Sequence, residues 1–409
     1  MTNQIHRFRR IYQRFAKYLP LLPGDFLGYL FLPINLILIL LAKPFVLIRV
    51  EPIIAWRLGH FAANIDVYLT NKKASKETPR KKHFDIWYMW TPPCNYHLYK
   101  MWRKLIFIGP RFFFAPIGKI FQNFSIFKDH RIPNSDRDIY NLFDITPPNL
   151  KFCSSEINFG NKELKKIGIS KDKKFICLTV RDNAYLKKQA EDAGANIDMA
   201  RHEFRNCDIN NYIKAAEYLT SLGFYVLRMG ALVEHKLVSD NPMIIDYAGE
   251  NMHSDFMDLF LAANCSFCIS NGTGFDALPA IFRKPILYVD QIPIDAFHTT
   301  SVKYMATTKK VFDLLTKEEI SLSEILSRLN FSYHSEDYEK NGYYLVESSP
   351  DEILDYVKDM LQLIENDFER SPDCMREHLE FWSLFKKSPK HGAIISHVPC
   401  SFLKHRNLN

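Results

Sequence analysis

The 409-residue chain lacks the local signatures of several common enzyme classes. It has no HExxH pair, no GxSxG elbow and no Walker A loop, which removes zincin, nucleophile-elbow hydrolase and P-loop chemistry. The GxGxxG of a dehydrogenase is missing from the first βα turn. Cys265 and Cys268 form a CxxC, yet no second CxxC or paired His cluster completes a zinc set. They lie in an apolar run and read as buried thiols in a reducing compartment. Acid is absent from the first 24 residues. The net charge of +7 is concentrated there, and no nucleic-acid module accompanies it, so no nucleic-acid partner is expected.

That acid-free stretch carries Arg7, Arg9, Arg10, Arg14 and Lys17. Phe8, Ile11, Tyr12, Phe15 and Leu19 recur at helical spacing, the pattern of a basic amphipathic helix on an anionic leaflet. Residues 26–42 follow without a charged side chain. Seventeen helical residues span about 26 Å, slightly short of a hydrocarbon core of about 30 Å. Pro33 and Asn35 interrupt the run, so the favoured reading is a re-entrant or monotopic insertion broken near Pro33. Lys43 and Arg49 beyond it fit an arrangement with both ends in the cytoplasm. A transmembrane anchor and a hairpin packed on the body are the competing readings.

From residue 46 the pattern is that of a soluble α/β protein, and the length suits two domains. The expected division is a membrane-associated segment over 1–45, a first Rossmann-like domain over 46–168, a second over 169–335 and a helical extension over 336–409. Phe45–Val50 ends the membrane element or begins a strand. Phe84–Trp90 reads as a strand, and Asp136–Phe143 as a helix. In the second half Lys174–Val180, Phe224–Met229, Met243–Tyr247, Cys265–Ile269 and Pro285–Val289 alternate with helical stretches, which predicts a parallel sheet. Residues 350–366 form a late amphipathic helix able to pack back across the halves. The fold class is α/β, two Rossmann-like domains facing a cleft, with a helical membrane segment ahead of them.

The densest signal is Cys265 to Asp290, which reads strand, glycine turn, helix, strand. The turn Ser270, Asn271, Gly272, Thr273 and Gly274 sits at a strand's carboxyl end and opens a helix, where an anion is favoured. Arg181 and Arg228 occupy two further strand ends, and a guanidinium fork pairs well with phosphate oxygens. Either arginine alone reads first as bridging an acid such as Asp182 or Asp246; the two together beside the glycine turn favour a ligand. Arg205 either reaches the cleft or braces its loop. Asp276 either holds a ribose hydroxyl or complements its helix dipole. His60, after Gly59 at a strand-to-helix loop, is the candidate general base. Asp136-Arg-Asp138 matches a DxD, but its context reads as a helix start and no metal is expected.

The ordered stretches Cys177–Leu186, Phe204–Ile209, Tyr225–Gly230, Ile245–Ala248, Ser254–Asp258, Phe267–Ser270 and Gly274–Ala277 resemble a family of bacterial glycosyltransferases associated with surface-polysaccharide loci. The resemblance covers roughly residues 50–365. It implies a GT-B fold without catalytic metal or cofactor, the nucleotide-sugar being a substrate held by the second domain. The N-terminal membrane element would bring the cleft near a glycan or lipid-linked acceptor at the cytoplasmic face of the inner membrane, against its lipid surface. His60 is similar in placement to the catalytic His of other GT-B enzymes. Asn271-Gly272 stands where small hydroxyl residues are expected in relatives. A non-catalytic scaffold of the same machinery is the alternative reading.

Overall fold

The computed structural model describes residues 23–192, 200–250, 252–294, 297–328, 334–369, 372–385, 391–404 and 406. The basic amphipathic helix expected ahead of them lies outside the described residues. The chain forms two compact units. The first comprises residues 1–56, 77–94 and 99–134, and the second 57–76, 95–98 and 135–409.

In the first unit β1 (Leu47–Ile53) pairs in parallel with β2 (His83–Met89), Val50 opposite Ile86. Ile108 adds a single bridge to Trp87. Among the described residues this is a strand pair and not the full Rossmann sheet expected over 46–168. The reason is visible in the division itself: residues 57–76 and everything from 135 onward fold with the other unit. Helices Pro23–Ala42 and Arg111–Asn123 cover the pair. The core joins Ile39, Val50, Ile86, Tyr88, Ile117 and Phe121.

Two expectations fail here. Pro33 does not break the apolar run, because one helix continues through it. A proline removes one backbone donor and crowds one carbonyl, which a helix held by side-chain packing tolerates. Arg49 is no flanking cation either. It is buried and its Nε donates to Asp85 Oδ1 at 2.6 Å. Among the described residues no helix is long and apolar enough to cross a membrane.

The second unit holds a six-stranded, all-parallel sheet. Its strands are β3 (Phe175–Thr179), β4 (Tyr225–Arg228), β5 (Ile244–Ile245), β6 (Cys268–Ser270), β7 (Ile286–Tyr288) and β8 (Tyr304–Ala306). The spatial order is β5-β4-β3-β6-β7-β8. β3, β6 and β7 are buried along their whole length, as continuous apolar runs require in a sheet covered on both faces. Strand order reverses between β3 and β6, whose register sets Thr179 opposite Ser270. That switch point is where open α/β sheets take ligands. A separate antiparallel pair joins β9 (Lys310–Asp313) to β10 (Tyr343–Val346). The Pro350–Glu365 helix packs within this unit on helices Ile213–Ser221 and Cys400–Lys404.

Asp136–Phe143 is not a helix. Asn141 takes a positive φ of 55°, and the Asp138 carboxylate accepts from the Phe143 N–H at 2.7 Å, closing a turn. Cys177, Cys265 and Cys268 are buried free thiols, while Cys374 and Cys400 form a disulfide.

Candidate functional site

The switch point gathers its groups from five segments of the second unit: residues 57–60, 179–183, 205–207, 270–276 and the end of β7. Ser270, fully buried at the end of β6, organises the glycine turn. Its Oγ donates to Asp276 Oδ2 at 2.8 Å and accepts from the Gly272 N–H at 3.1 Å. Gly272 has φ +85°, a left-handed conformation that side chains resist. Thr273 Oγ1 meets Thr179 Oγ1 at 3.1 Å. Asn271 is a strut: its Oδ1 accepts from the Arg181 N–H at 2.8 Å and its Nδ2 donates to Arg205 O at 3.1 Å. The amide thus fixes the loops after β3 and before Cys207 against the turn, a task a serine or threonine hydroxyl is too short to span.

The helix Leu58–Lys73 starts beside this turn. A Cβ on Gly59 would stand 3.3 Å from Gly274 Cα, so both positions must stay small. Gly59 and His60, expected in the first domain, belong to the second unit and lie at its glycine turn. His60 Nδ1 lies 3.3 Å from Asn64 Oδ1 and 3.6 Å from Asp136 Oδ2. The ring is partly exposed and held on one edge by a carboxylate.

Two guanidinium groups lie at this turn, and the exposed Arg57 is near enough for its charge to act on both. Arg181 follows β3, Arg205 donates from Nη2 to Gly272 O at 3.0 Å, and Arg57 precedes the Leu58–Lys73 helix. Burial, Arg205 and Arg57 together push the Arg181 guanidinium down to about 10. Burial and Arg57 lower Arg205 as well, although Asp276 opposes this. Arg181 Nε is buried without a hydrogen-bond partner. Like charges held together with an unspent donor are what an anion site looks like before its anion arrives. Arg57 was missed in the sequence, where attention fell on Gly59 and His60. Its place immediately before a helix start was the available signal. Gln291, after β7, was also missed; its Nε2 would meet a Gly272 Cβ at 3.1 Å and its buried Oε1 has no partner.

Arg228 is not part of this group. It is buried, donates from Nη1 to His235 O at 2.9 Å and to Asp246 Oδ1 at 3.3 Å, and lies 3.7 Å from Asp182 Oδ2. Its charge is met by two carboxylates, so the expectation that it binds phosphate gives way to a structural role.

Asp276 lies beneath the turn. Burial pushes its carboxyl up to about 7, although the Ser270 hydroxyl, Arg205 and the N–H groups of Thr273 and Ala277 oppose the shift. In the unfolded chain an aspartate titrates near about 3.9, so the folded protein binds this proton more tightly. Asp276 therefore weakens the fold as pH climbs from about 4 to about 7, with no further loss above. Asp290, pushed up by burial to about 6, acts in the same sense below that pH. Urea denaturation is expected to show stability falling over this window, and Asp276→Asn to flatten its upper part. An unchanged slope in the variant sinks the assignment of a buried carboxyl.

The DxD does not assemble as a metal site. Asp136 faces His60, Asp138 closes its own turn, and Arg137 donates to Phe297 O. Cys207, Asp290 and Glu347 place ligand-type atoms within 4.8 Å of one another. Both carboxylates are already occupied: Asp290 accepts from Ser348 N and Oγ, and Glu347 from the Asp208 N–H and Lys309. This cluster is a hydrogen-bonded knot and fits a cation poorly.

No family model matches the sequence, and no curated protein does. Among solved structures, the chain is similar to the ADP-heptose LPS heptosyltransferase II of E. coli. The TM-score is 0.46 at 11% identity, covering 78% of this chain and 100% of that one. It is also similar to a glycosyl transferase family 9 protein of Veillonella parvula, with TM-score 0.39, 8% identity, and 64% and 86% of the two chains covered. A third is the iron-containing dodecameric glycosyltransferase TibC of enterotoxigenic E. coli, with TM-score 0.32, 11% identity, and 62% and 60% covered. At these scores the functional reading rests on the site's own residues.

Proposed function

We propose that the protein is a glycosyltransferase that moves a sugar from a nucleotide-sugar to a polysaccharide or lipid-linked glycan in bacterial surface glycan synthesis, at the cytoplasmic face of the inner membrane. The observation that carries this is the pair Arg181 and Arg205 held at the glycine turn by Asn271 and by Gly272 O at the sheet's switch point, with Arg181 Nε left unpartnered. Such a pocket suits the diphosphate of a nucleotide-sugar: two linked phosphates for the arginines, and hydroxyls or a base edge for Gln291.

The chemistry follows from where charge develops. The bond between the anomeric carbon and the diphosphate oxygen breaks, the electron pair goes to the diphosphate, and an acceptor oxygen forms the new bond. Guanidinium groups fixed at that oxygen stabilise the leaving group most when its charge is greatest. In an inverting transfer His60, oriented by Asp136, takes the acceptor hydroxyl's proton.

The test is a thermal-shift and calorimetric screen of the full chain against UDP, GDP, ADP, CMP and their sugar conjugates. One nucleotide is expected to raise apparent stability by mass action. Arg181→Ala is expected to weaken it by roughly 10- to 100-fold, the loss of charge-assisted hydrogen bonds of about 1.5–3 kcal/mol. A folded protein that no nucleotide stabilises moves the weight to the non-catalytic scaffold.

A further inference from the structure

The Pro23–Ala42 helix is apolar on two opposite sides, and only one of them is used. Leu32, Leu36 and Ile39 lie three and four residues apart and pack on the first unit's core. Leu30, Ile34, Ile37, Leu38 and Leu41 lie on the other side at the same spacing, and each is more than half exposed. Phe45, just past the helix, is the most exposed of the set at 82%. A helix that is apolar all round is covered all round in its working state.

The charged groups beside this face identify what covers it. Lys119 Nζ lies 3.2 Å from Tyr29 Oη and 5.1 Å from the Trp90 ring centroid, and the Arg111 guanidinium stacks over Trp90. Lys43, just beyond the helix's other end, pairs at its surface with Asp129 at 3.8 Å. Aromatic rings with lysine and arginine at the edge of an apolar face are the arrangement of the headgroup level of a bilayer. The chain preceding the helix adds five cations and no acid before Asp25. A second copy meeting this face about a two-fold axis would bring like charges together. An anionic leaflet complements them.

We propose that the protein docks on an anionic lipid surface through this outward face, with the helix lying in the plane of the interface. No described helix is long and apolar enough to span, and packing of the inner face on the Arg111–Asn123 helix holds it to the protein's surface. The apolar side chains enter the acyl boundary while Lys43 and Lys119 reach the headgroups.

The experiment is flotation of the full chain with phosphatidylcholine vesicles, with and without phosphatidylglycerol. Binding is expected to the anionic vesicles, and a triple Leu30→Gln, Ile34→Gln, Leu38→Gln variant is expected to lose at least about tenfold in affinity. A separate Leu41→Trp variant is expected to lose more fluorescence than wild type in vesicles carrying brominated acyl chains, the difference reporting the added ring beside the five native tryptophans. Wild-type binding by the triple variant, or quenching of Leu41→Trp no greater than that of wild type, overturns the proposal. So does a dimer that fails to bind vesicles and that the triple substitution splits. If the triple variant fails to fold, the single tryptophan variant decides.

Discussion

His60→Ala is expected to lower kcat for sugar transfer by about 10²- to 10⁴-fold, the usual contribution of a positioned general base. Nucleotide affinity should change by less than a few-fold, because the pocket for the diphosphate is formed by other side chains. The expectation rests on placement. Gly59 brings the start of the Leu58–Lys73 helix against Gly274, and His60 is the next residue. Asn64 and Asp136 both approach Nδ1, which leaves Nε2 to receive a proton. Asp136→Asn is expected to lower kcat by a smaller factor without altering nucleotide affinity, since it orients the ring and touches no reacting atom. The measurement is initial-rate kinetics on the donor and acceptor that the nucleotide screen identifies, beside calorimetry on each variant. A kcat in His60→Ala within threefold of wild type removes the base assignment. A nucleotide affinity lost together with kcat places His60 in the donor pocket instead.

The second unit was legible because its signals are local. A parallel strand buried on both faces must be a continuous apolar run, and Phe175–Thr179 and Ile286–Tyr288 are such runs. Ser254 caps the Asp255–Asn264 helix by accepting from the Met257 N–H, as its residue type suggests. The turn at Ser270–Gly274 announced itself through residues that only special backbone geometry requires. What stayed hidden depends on pairings between distant segments. The sequence offered Asp182 and Asp246 as possible partners for the strand-end arginines, but nothing local to Arg228 reveals that both reach its guanidinium. Nothing near Gly59 reveals that its segment folds with the later sheet and not with the strands flanking it. The helix at Pro33 misled for a different reason: proline's local cost is real, but Leu32, Leu36 and Ile39 on the core outweigh it. β8 to β10 are short and lack a period long enough to read.

Arg228→Ala is expected to destabilise the second unit by about 3–5 kcal/mol, the loss that follows when one partner of a buried ion pair is removed. The guanidinium is 2% exposed and bridges the carboxylates that follow β3 and β5. Asp246 would keep the N–H groups of Leu237 and Gly249 but lose its cation. Asp182 would keep its bonds to the N–H groups of Ala184 and Glu234. The two carboxylates would then face the cavity left by the guanidinium without the cation that bridges them. Arg181→Ala should do the opposite. Its guanidinium sits among two other cations with a donor unspent, so its removal relieves repulsion and stability should hold or rise slightly. The pair of variants therefore separates two roles that strand-end arginines share in the sequence. Urea melts measure the first effect and nucleotide titration at low temperature the second. Arg228→Ala should melt early and, while folded, bind nucleotide within threefold of wild type. If instead it stays as stable as wild type and loses the nucleotide, the carboxylates at Asp182 and Asp246 are not its partners in solution, and the donor pocket extends to the end of β4.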